Sequence, residues 1–414
     1  MDASPRREPP PRQITTRCCI VGGGPAGMML GYLLGRAGVE TVVLEKHADF
    51  LRDFRGDTVH PSTMRVLHEL GLLADFLKRP HQELAQVGGD FGGDYLHLAD
   101  FSRLDVPARF IAMMPQWHFL DFLAERGAEF GTLRLLRRTE AVDLIHDGDR
   151  VAGVMAQAPD GELRVDADLV VGCDGRHSMT RHCAGLAVDD IGAPIDVLWF
   201  RIGKTPVDLQ PAFLHAAAGG FLVTIDRGDY WQCAYVIAKG QTDAVKAQGL
   251  DAFRARIAAI VPALRDRVAD IKDWDDVKLL TVTIDRLRQW ARPGLLCIGD
   301  AAHAMSPVGG VGINLAIADA VASANLLAAK LRDGPLTLAD LATVQARRLW
   351  PVRVIQAVQV AVQDRIIDPA LHGRIKPPPL LKLFDAVPWL RQFPAQLIGL
   401  GIRAEHVTSP RADG

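Results

Sequence analysis

The stretch Cys18-Cys19-Ile20-Val21-Gly22-Gly23-Gly24-Pro25-Ala26-Gly27 decides the fold. Four apolar residues in a row read as a buried parallel strand, and the glycines at 22, 24 and 27 make a G-x-G-x-x-G turn. In such a turn Gly22 permits the tight bend, Gly24 lets a pyrophosphate approach the backbone, and Gly27 lets the next helix pack close to the sheet. Pro25 has no amide hydrogen to lose at a helix start, and with Ala26 it opens a helix expected to run to about Arg36 and stop at Gly38.

Thr41-Val42-Val43-Leu44 reads as the second strand, ending in Glu45 with Lys46 beside it. A carboxylate at that point accepts hydrogen bonds from a ribose, while the phosphates meet the positive end of the helix. Framed by strand, helix, strand and acid, the motif predicts dinucleotide binding. The acid suits the adenosine ribose of either FAD or NAD and disfavours a 2′-phosphate in this particular site.

A second informative stretch lies far downstream: Gly299-Asp300-Ala301-Ala302-His303-Ala304-Met305-Ser306-Pro307-Val308-Gly309-Gly310-Val311-Gly312-Ile313-Asn314. It leaves an apolar run, Leu295 to Ile298, and opens a long apolar-periodic segment. A small-residue loop with one carboxylate and several free amides suits a large polar ligand. The apolar strand Leu169-Val170-Val171-Gly172-Cys173 likewise runs into Asp174-Gly175-Arg176-His177-Ser178-Met179-Thr180-Arg181. Asp174 either orders that turn or fixes ligand hydroxyls, and Arg176 and Arg181 pair with it or with phosphates.

Between these motifs the pattern changes. Arg55 stands either over a flavin or phosphate, or in a surface ion pair with Asp53 or Asp57. Gln116 sits at the start of a helix, Trp117 to Arg126, as a cofactor ligand or a cap. Asp147-Gly148 and Asp160-Gly161 signal hairpins. Ile195–Ile202, Phe221–Ile225 and Tyr230–Ile237 read as strands of an antiparallel sheet. In the last of these Trp231, Cys233, Tyr235 and Ile237 share one face and Tyr230, Gln232, Ala234 and Val236 the other. One face is expected to pack a core and the other to line an aromatic pocket. Tyr230, Trp231 and Gln232 are pocket candidates, each equally readable as sheet core or rim.

Composition narrows the function. The chain has 414 residues, 49% hydrophobic and 23% charged, with a formal net charge of −2 and no strongly basic block, which argues against a nucleic-acid surface. Six cysteines occur without Cys-x-x-Cys or zinc spacing, so no metal is expected and the compartment reads as reducing and cytoplasmic. Residues 1–16, rich in Pro and Arg, read as a disordered lead-in. No integral membrane segment is expected: the alanine-rich segment Ile317–Ala329 is interrupted by Asp319, Ser323 and Asn325 and reads as a helix buried in protein.

Three separated signatures stand together: Gly22-x-Gly24-x-x-Gly27 with Glu45, Asp174-Gly175-x-x-Ser178-x-x-Arg181, and Gly299-Asp300 with its downstream glycines. From about Arg17 to Pro351 the chain resembles the single-component, FAD-dependent aromatic hydroxylases, the para-hydroxybenzoate hydroxylase-like flavoprotein monooxygenases. The resemblance implies an α/β Rossmann-like FAD-binding domain interrupted by an antiparallel β-sheet substrate domain. It assigns 17–85, 108–182 and 279–351 to the FAD domain, 86–107 and 183–278 to the substrate domain, and 352–414 to a C-terminal helical region. It implies that the GxGxxG segment holds the FAD pyrophosphate, that Glu45 binds the adenosine ribose, and that Gly299-Asp300 contacts the ribityl and pyrophosphate portion. Pro307 would lie near the flavin and substrate, and amides from Gly310 and Gly312 to Ile313 and Asn314 would approach the pyrimidine edge. Arg55, Gln116 and Asp174 occupy places where the family has cofactor-contacting groups.

The activity implied is a monooxygenase that takes electrons transiently from NADPH or NADH. Through a C4a-(hydro)peroxyflavin it inserts one atom of O2 into an aromatic or polycyclic, phenolic molecule. No residue reads as a dedicated protein base; of the flavin-proximal candidates Pro307 and His303, His303 is more readily a residue that orders its loop. A reductase of geranylgeranyl reductase type, a flavin-dependent halogenase and a non-enzymatic FAD scaffold are the alternatives. The Trp-x-Trp-x-Ile-Pro signature of the halogenases is absent from the sequence. Monomer and homodimer are both compatible with the chain.

Overall fold

The computed structural model describes residues 12–51, 58–205, 213–217, 220–373, 377 and 379–412. Its first half is organised by the strand Arg12–Val21, whose apolar end is buried on both faces. It pairs in parallel with Thr41–Glu45 on one side and Gly161–Gly172 on the other. Leu133–Arg137 and Leu295–Cys297 extend the parallel core to either side. A continuous apolar run is what a strand covered on both faces requires. On its edge away from Arg12–Val21 the long strand Gly161–Gly172 has two further partners: its first half pairs with Arg150–Ala158 of an antiparallel hairpin, and its end pairs with Leu295–Cys297. The hairpin turns fall at Gly148 and Gly161, both at positive φ.

The helix Pro25–Arg36 follows the first strand and is buried over nearly its whole length. It ends where Gly38 takes φ +77°. The long helix Gly312–Asp333 packs beside it. By length and hydropathy Val308–Asp333 could cross a membrane, but 72% of its most apolar window is buried inside the protein, as a core helix would be.

A second, seven-stranded sheet contains Gln86–Phe91, Asp94–Asp100, Ile195–Gly203, Leu214–Ala217, Gly220–Asp226, Tyr230–Ala238 and Lys278–Leu280. Period-two alternation gives it two apolar faces. Leu198, Phe200, Trp231, Cys233, Tyr235 and Ile237 pack against Phe253 and Ile257 of the helix Leu250–Ile260. Ile195, Val197, Phe221, Ala234 and Val236 form the opposite face, and Val308, Val362 and Ile366 pack on it.

Two local breaks in the secondary structure have physical causes. The α-helix beginning at Leu250 ends at Ile260, and Pro262, which cannot donate a backbone hydrogen bond, starts a 3₁₀ segment to Asp270. The apolar run Leu279–Ile284 leaves the sheet after Leu280. There the backbone of Val282 is claimed by side chains: its N–H donates to Asp196 Oδ1 at 3.0 Å, and its carbonyl accepts from Lys239. The helix Leu338–Val362 runs through position 351 with Pro351 inside it. The C-terminal segment returns to the first half of the molecule. Gln392–Gly399 buries Ala395 against Phe101 and Leu104, and the Ala412 N–H donates to the Arg36 carbonyl.

Candidate active site

The first motif closes on itself through contacts that require glycine. Gly22 takes φ +105°, and a Cβ there would stand 2.4 Å from the Cys173 carbonyl oxygen. A Cβ on Gly27 would stand 1.9 Å from the Gly22 carbonyl oxygen, so the helix can sit on the loop only without one. Gly24 is different. It adopts φ −73°, open to any residue, and a Cβ there meets nothing within 4 Å. The fold itself therefore does not require glycine at 24, and the backbone there is left open.

Glu45 is buried at the end of its strand, and its carboxylate accepts from the Gly23 N–H at 3.1 Å and the His47 N–H at 2.9 Å. It thereby ties the glycine loop to the second strand. Lys46 points to the surface beside Glu140, 3.8 Å away. Gln116 is the first residue of the helix Gln116–Gly127 and is half-buried. Arg55 lies outside the described residues.

The second motif lands on the first. Gly299 sits between two helix starts: a Cβ there would be 3.1 Å from the Ala26 Cβ and 3.3 Å from the Ala316 Cβ. The helices Pro25–Arg36 and Gly312–Asp333 both begin without a side-chain cap and without an acid in the first turn. Uncapped helix starts leave N–H groups and a positive dipole end for an anion. The partly exposed carboxylate of Asp300 lies beside them, 3.9 Å from Arg176 Nη2. Open backbone at Gly24, two uncapped helix starts and an acid for ribityl or ribose hydroxyls fit the elongated, doubly charged pyrophosphate of FAD.

Asp174 is occupied by its own turn. Its carboxylate accepts from Ser178 Oγ at 2.6 Å, Thr180 Oγ1 at 2.8 Å and the Thr180 N–H at 2.9 Å. Arg176 donates to the Thr281 carbonyl, and Arg181 lies 3.4 Å from the buried Asp285. The Asp-Gly turn therefore reaches the glycine-rich loop through Arg176 and Asp300.

The loop after Asp300 is held from behind. His303 is buried with its Nε2 2.5 Å from Asp319 Oδ2, and its ring packs on Trp290 at 5.0 Å. Asp319 Oδ2 also accepts from the Gly299 N–H, and its Oδ1 from Arg348 Nε at 2.8 Å. Arg348 continues to Glu405, which Arg347 also holds. Burial alone would push the Asp319 carboxyl up; His303 and the Arg348 guanidinium outweigh it and hold the carboxyl below its ordinary range.

Further along, Pro307 is half-buried and Val308 touches the inner face of the second sheet. The Gly310 carbonyl accepts from Thr58 Oγ1 at 3.1 Å. The Asn314 side chain binds the His60 N–H and Thr63 Oγ1, so it braces the helix Pro61–Glu69, while Gly312 and Ile313 occupy the first turn of the long helix. Burial pushes the His60 imidazole down to about 4, and its Nδ1 bonds the Ile398 carbonyl of the C-terminal segment.

Tyr230 and Gln232 lie on the sheet face that also carries Ala234 and Val236. Tyr230 is at its edge, with the Arg201 guanidinium over its ring at 5.0 Å. Gln232 is buried, and its Oε1 accepts from Arg227 Nε at 3.0 Å. Asp319, Arg348, Glu405 and His60 support the site without belonging to any of its sequence motifs. For Asp319 the signal was present: an acid in an otherwise apolar helix face needs a buried cationic partner.

A two-motif cradle on the parallel core of one sheet, its loop pressed against a separate, mostly antiparallel sheet, defines an FAD-dependent enzyme of the para-hydroxybenzoate hydroxylase-like fold. Residues 15–357 match the family described as FAD binding domain. The chain is 34% identical over 348 residues to 6-methylpretetramide 4-monooxygenase of Streptomyces rimosus, covering 84% of this chain and 83% of that one. Among solved structures it resembles a probable FAD-dependent monooxygenase from Pseudomonas aeruginosa, at TM-score 0.72 and 25% identity over 87% of this chain and 99% of that one. It also resembles an anhydrotetracycline hydroxylase from Streptomyces rimosus, at TM-score 0.73 and 25% identity over 94% and 77%. The chain belongs to the FAD-binding family of aromatic monooxygenases.

Proposed function

We propose that this chain uses NADH or NADPH and dioxygen to insert one oxygen atom into an aromatic or polycyclic, phenolic small molecule. The site is the junction between the Pro307–Asn314 loop and the inner face of the seven-stranded sheet. The observation that carries the reading is the packing of Val308 on that face, a few residues beyond the Asp300 cradle. It brings the end of the cofactor loop to the wall of the second sheet. The names of the relatives, which act on 6-methylpretetramide and anhydrotetracycline, support a fused-ring substrate.

When bound, FAD supplies the redox chemistry, accepting a hydride and activating dioxygen. The chain's residues bind and orient. Gly22, Gly24, Pro25, Ala26 and Gly27 present open backbone and a helix start to the pyrophosphate, with Glu45 at the adenosine end. Asp300 accepts hydrogen bonds from cofactor hydroxyls. The start of the helix at Gly312 offers amides to negative charge on the pyrimidine edge. The apolar inner face of the sheet excludes water from the reacting ring. His303 holds the loop through Asp319 and moves no proton of the reaction. Residues 17–85, 108–182 and 279–351 form the cofactor domain and 86–107 with 183–278 the substrate domain. The six free cysteines, five of them buried, support a cytoplasmic setting.

The test is anaerobic mixing of the FAD-loaded protein with NADH or NADPH. Bleaching of the flavin absorbance, accelerated by a phenolic polycycle, is expected. No reduction by either nucleotide across a panel of phenols contradicts the reading.

A further inference from the structure

The inner face of the second sheet holds two buried donors that meet no acceptor among the described residues. Among the described residues, neither Trp199 Nε1 nor Gln232 Nε2 has a hydrogen-bond partner, and both atoms are shielded from solvent. A buried N–H without an acceptor is destabilising, so a natural interior keeps such a group for a reason. Two on one face, beside the loop that meets the cofactor, call for a common cause.

Their placement follows from register. Trp199 stands opposite Ala234, and Gln232 is two residues from Ala234 on the same strand, so the two side chains are diagonal neighbours on one face. Trp199 packs with both apolar groups of that face, including the one Val308 joins. The orientation of the Gln232 amide is settled chemically. Arg227 can only donate, so the atom it meets at 3.0 Å is Oε1, and the NH₂ points the other way.

The ladder cannot supply an acceptor. Trp199 is flanked by Ala234 and Lys278, and Gln232 by Ile225 and Arg201. Alanine and isoleucine side chains carry no polar atom, and lysine and arginine side chains only donate. The surroundings are rich in donors and, through Arg201 and Arg227, in positive charge.

We infer that Trp199 Nε1–H and Gln232 Nε2–H are the groups that recognise an acceptor oxygen, phenolate or ring carbonyl, on the aromatic substrate. The inference rests on the monooxygenase reading for the location of the reacting ring and adds how that ring is turned. Two donors on one wall select fused aromatic ligands carrying an oxygen at the edge that faces the sheet. They reject the bare hydrocarbon, which would leave both donors unpaired.

The experiment is equilibrium binding to the FAD-loaded full chain, with 1,8-dihydroxyanthraquinone and anthracene as probes of the same tricyclic outline. Wild type is expected to prefer the oxygenated probe by about tenfold or more. Trp199→Phe removes the donor, and the ratio between probes cancels the ring area lost with it. Gln232→Glu keeps an acceptor for Arg227 and replaces the free donor by an acceptor. Each substitution is expected to cut the preference about tenfold. The thermal midpoint of the ligand-free protein should hold or rise, because an unpaired buried donor has been removed. An unchanged preference in both variants overturns the inference, as does equal binding of the two probes by wild type. Loss of preference in a chain that neither accepts hydride nor consumes oxygen leaves the recognition standing and removes the oxygenase reading, so the two failures are separable.

Discussion

His303 Nε2 and Asp319 Oδ2 meet at 2.5 Å, with both side chains at 1% exposure or less. The same carboxylate takes Arg348 Nε and the Gly299 N–H, so one buried acid fixes both the loop after Asp300 and the helix behind it. Removing one member of a buried charge network costs about 3–5 kcal/mol, because the others stay buried and uncompensated. Asp319→Ala is expected to lower stability by about that amount in urea denaturation and to release FAD. The folded carboxyl lies below its ordinary range. Its contribution is therefore present above the unfolded value of about 4 and is lost as pH falls through the folded one. Asp319→Ala should accordingly flatten the loss of stability below pH of about 4.

Gly24 and Gly27 separate a ligand cradle from a structural glycine. A Cβ at 24 meets nothing, whereas one at 27 collides with the Gly22 carbonyl. Gly24→Ala should leave the midpoint of the FAD-free protein within about 2 °C of wild type and weaken FAD binding by about tenfold or more. Gly27→Ala should destabilise the FAD-free protein itself. Calorimetry with and without FAD reads both.

His60 gives the fold a pH dependence. Its imidazole falls from an ordinary 6.5 to about 4, through burial. A folded value below the unfolded one means the stabilisation is fully present above about 6.5 and is lost as pH falls from there toward 4. The shift corresponds to about 3 kcal/mol. Denaturation at pH 7 and pH 5 should differ in wild type, and the difference should shrink in His60→Asn, which keeps a donor for the Ile398 carbonyl and does not titrate.

Asp300 is partly exposed and near Arg176, so its removal should not unfold the chain. Asp300→Ala is expected to keep the midpoint of the FAD-free protein and weaken FAD retention about tenfold on desalting. Full retention removes Asp300 from the site.

Much of the cradle was legible in the sequence because it is local. Gly22, Gly24 and Gly27 with Glu45 span one strand–turn–helix–strand unit, and spacing alone carries the reading. The alternation of Tyr230–Ile237 likewise assigns its two faces, which the sheet register reproduces. What was not legible is long-range. Glu45 is read as a ribose ligand, yet in this structure it also holds the Gly23 and His47 amides. Asp174 offered two readings, and its side chain is committed to Ser178 and Thr180. Arg348 and Glu405 join Asp319 across large sequence separations, where no periodicity signals a partner. Trp199 looks like any strand tryptophan until its neighbours across the ladder are known to lack an acceptor.

Oxygen insertion is assigned to the loop–sheet junction. Its most direct test is turnover of a phenolic polycycle by the FAD-loaded chain with NADH or NADPH under isotopically labelled dioxygen, read by product mass. One labelled oxygen atom in the product, and none taken from water, is the expected result. Product formed without dioxygen, or carrying oxygen from water alone, contradicts it.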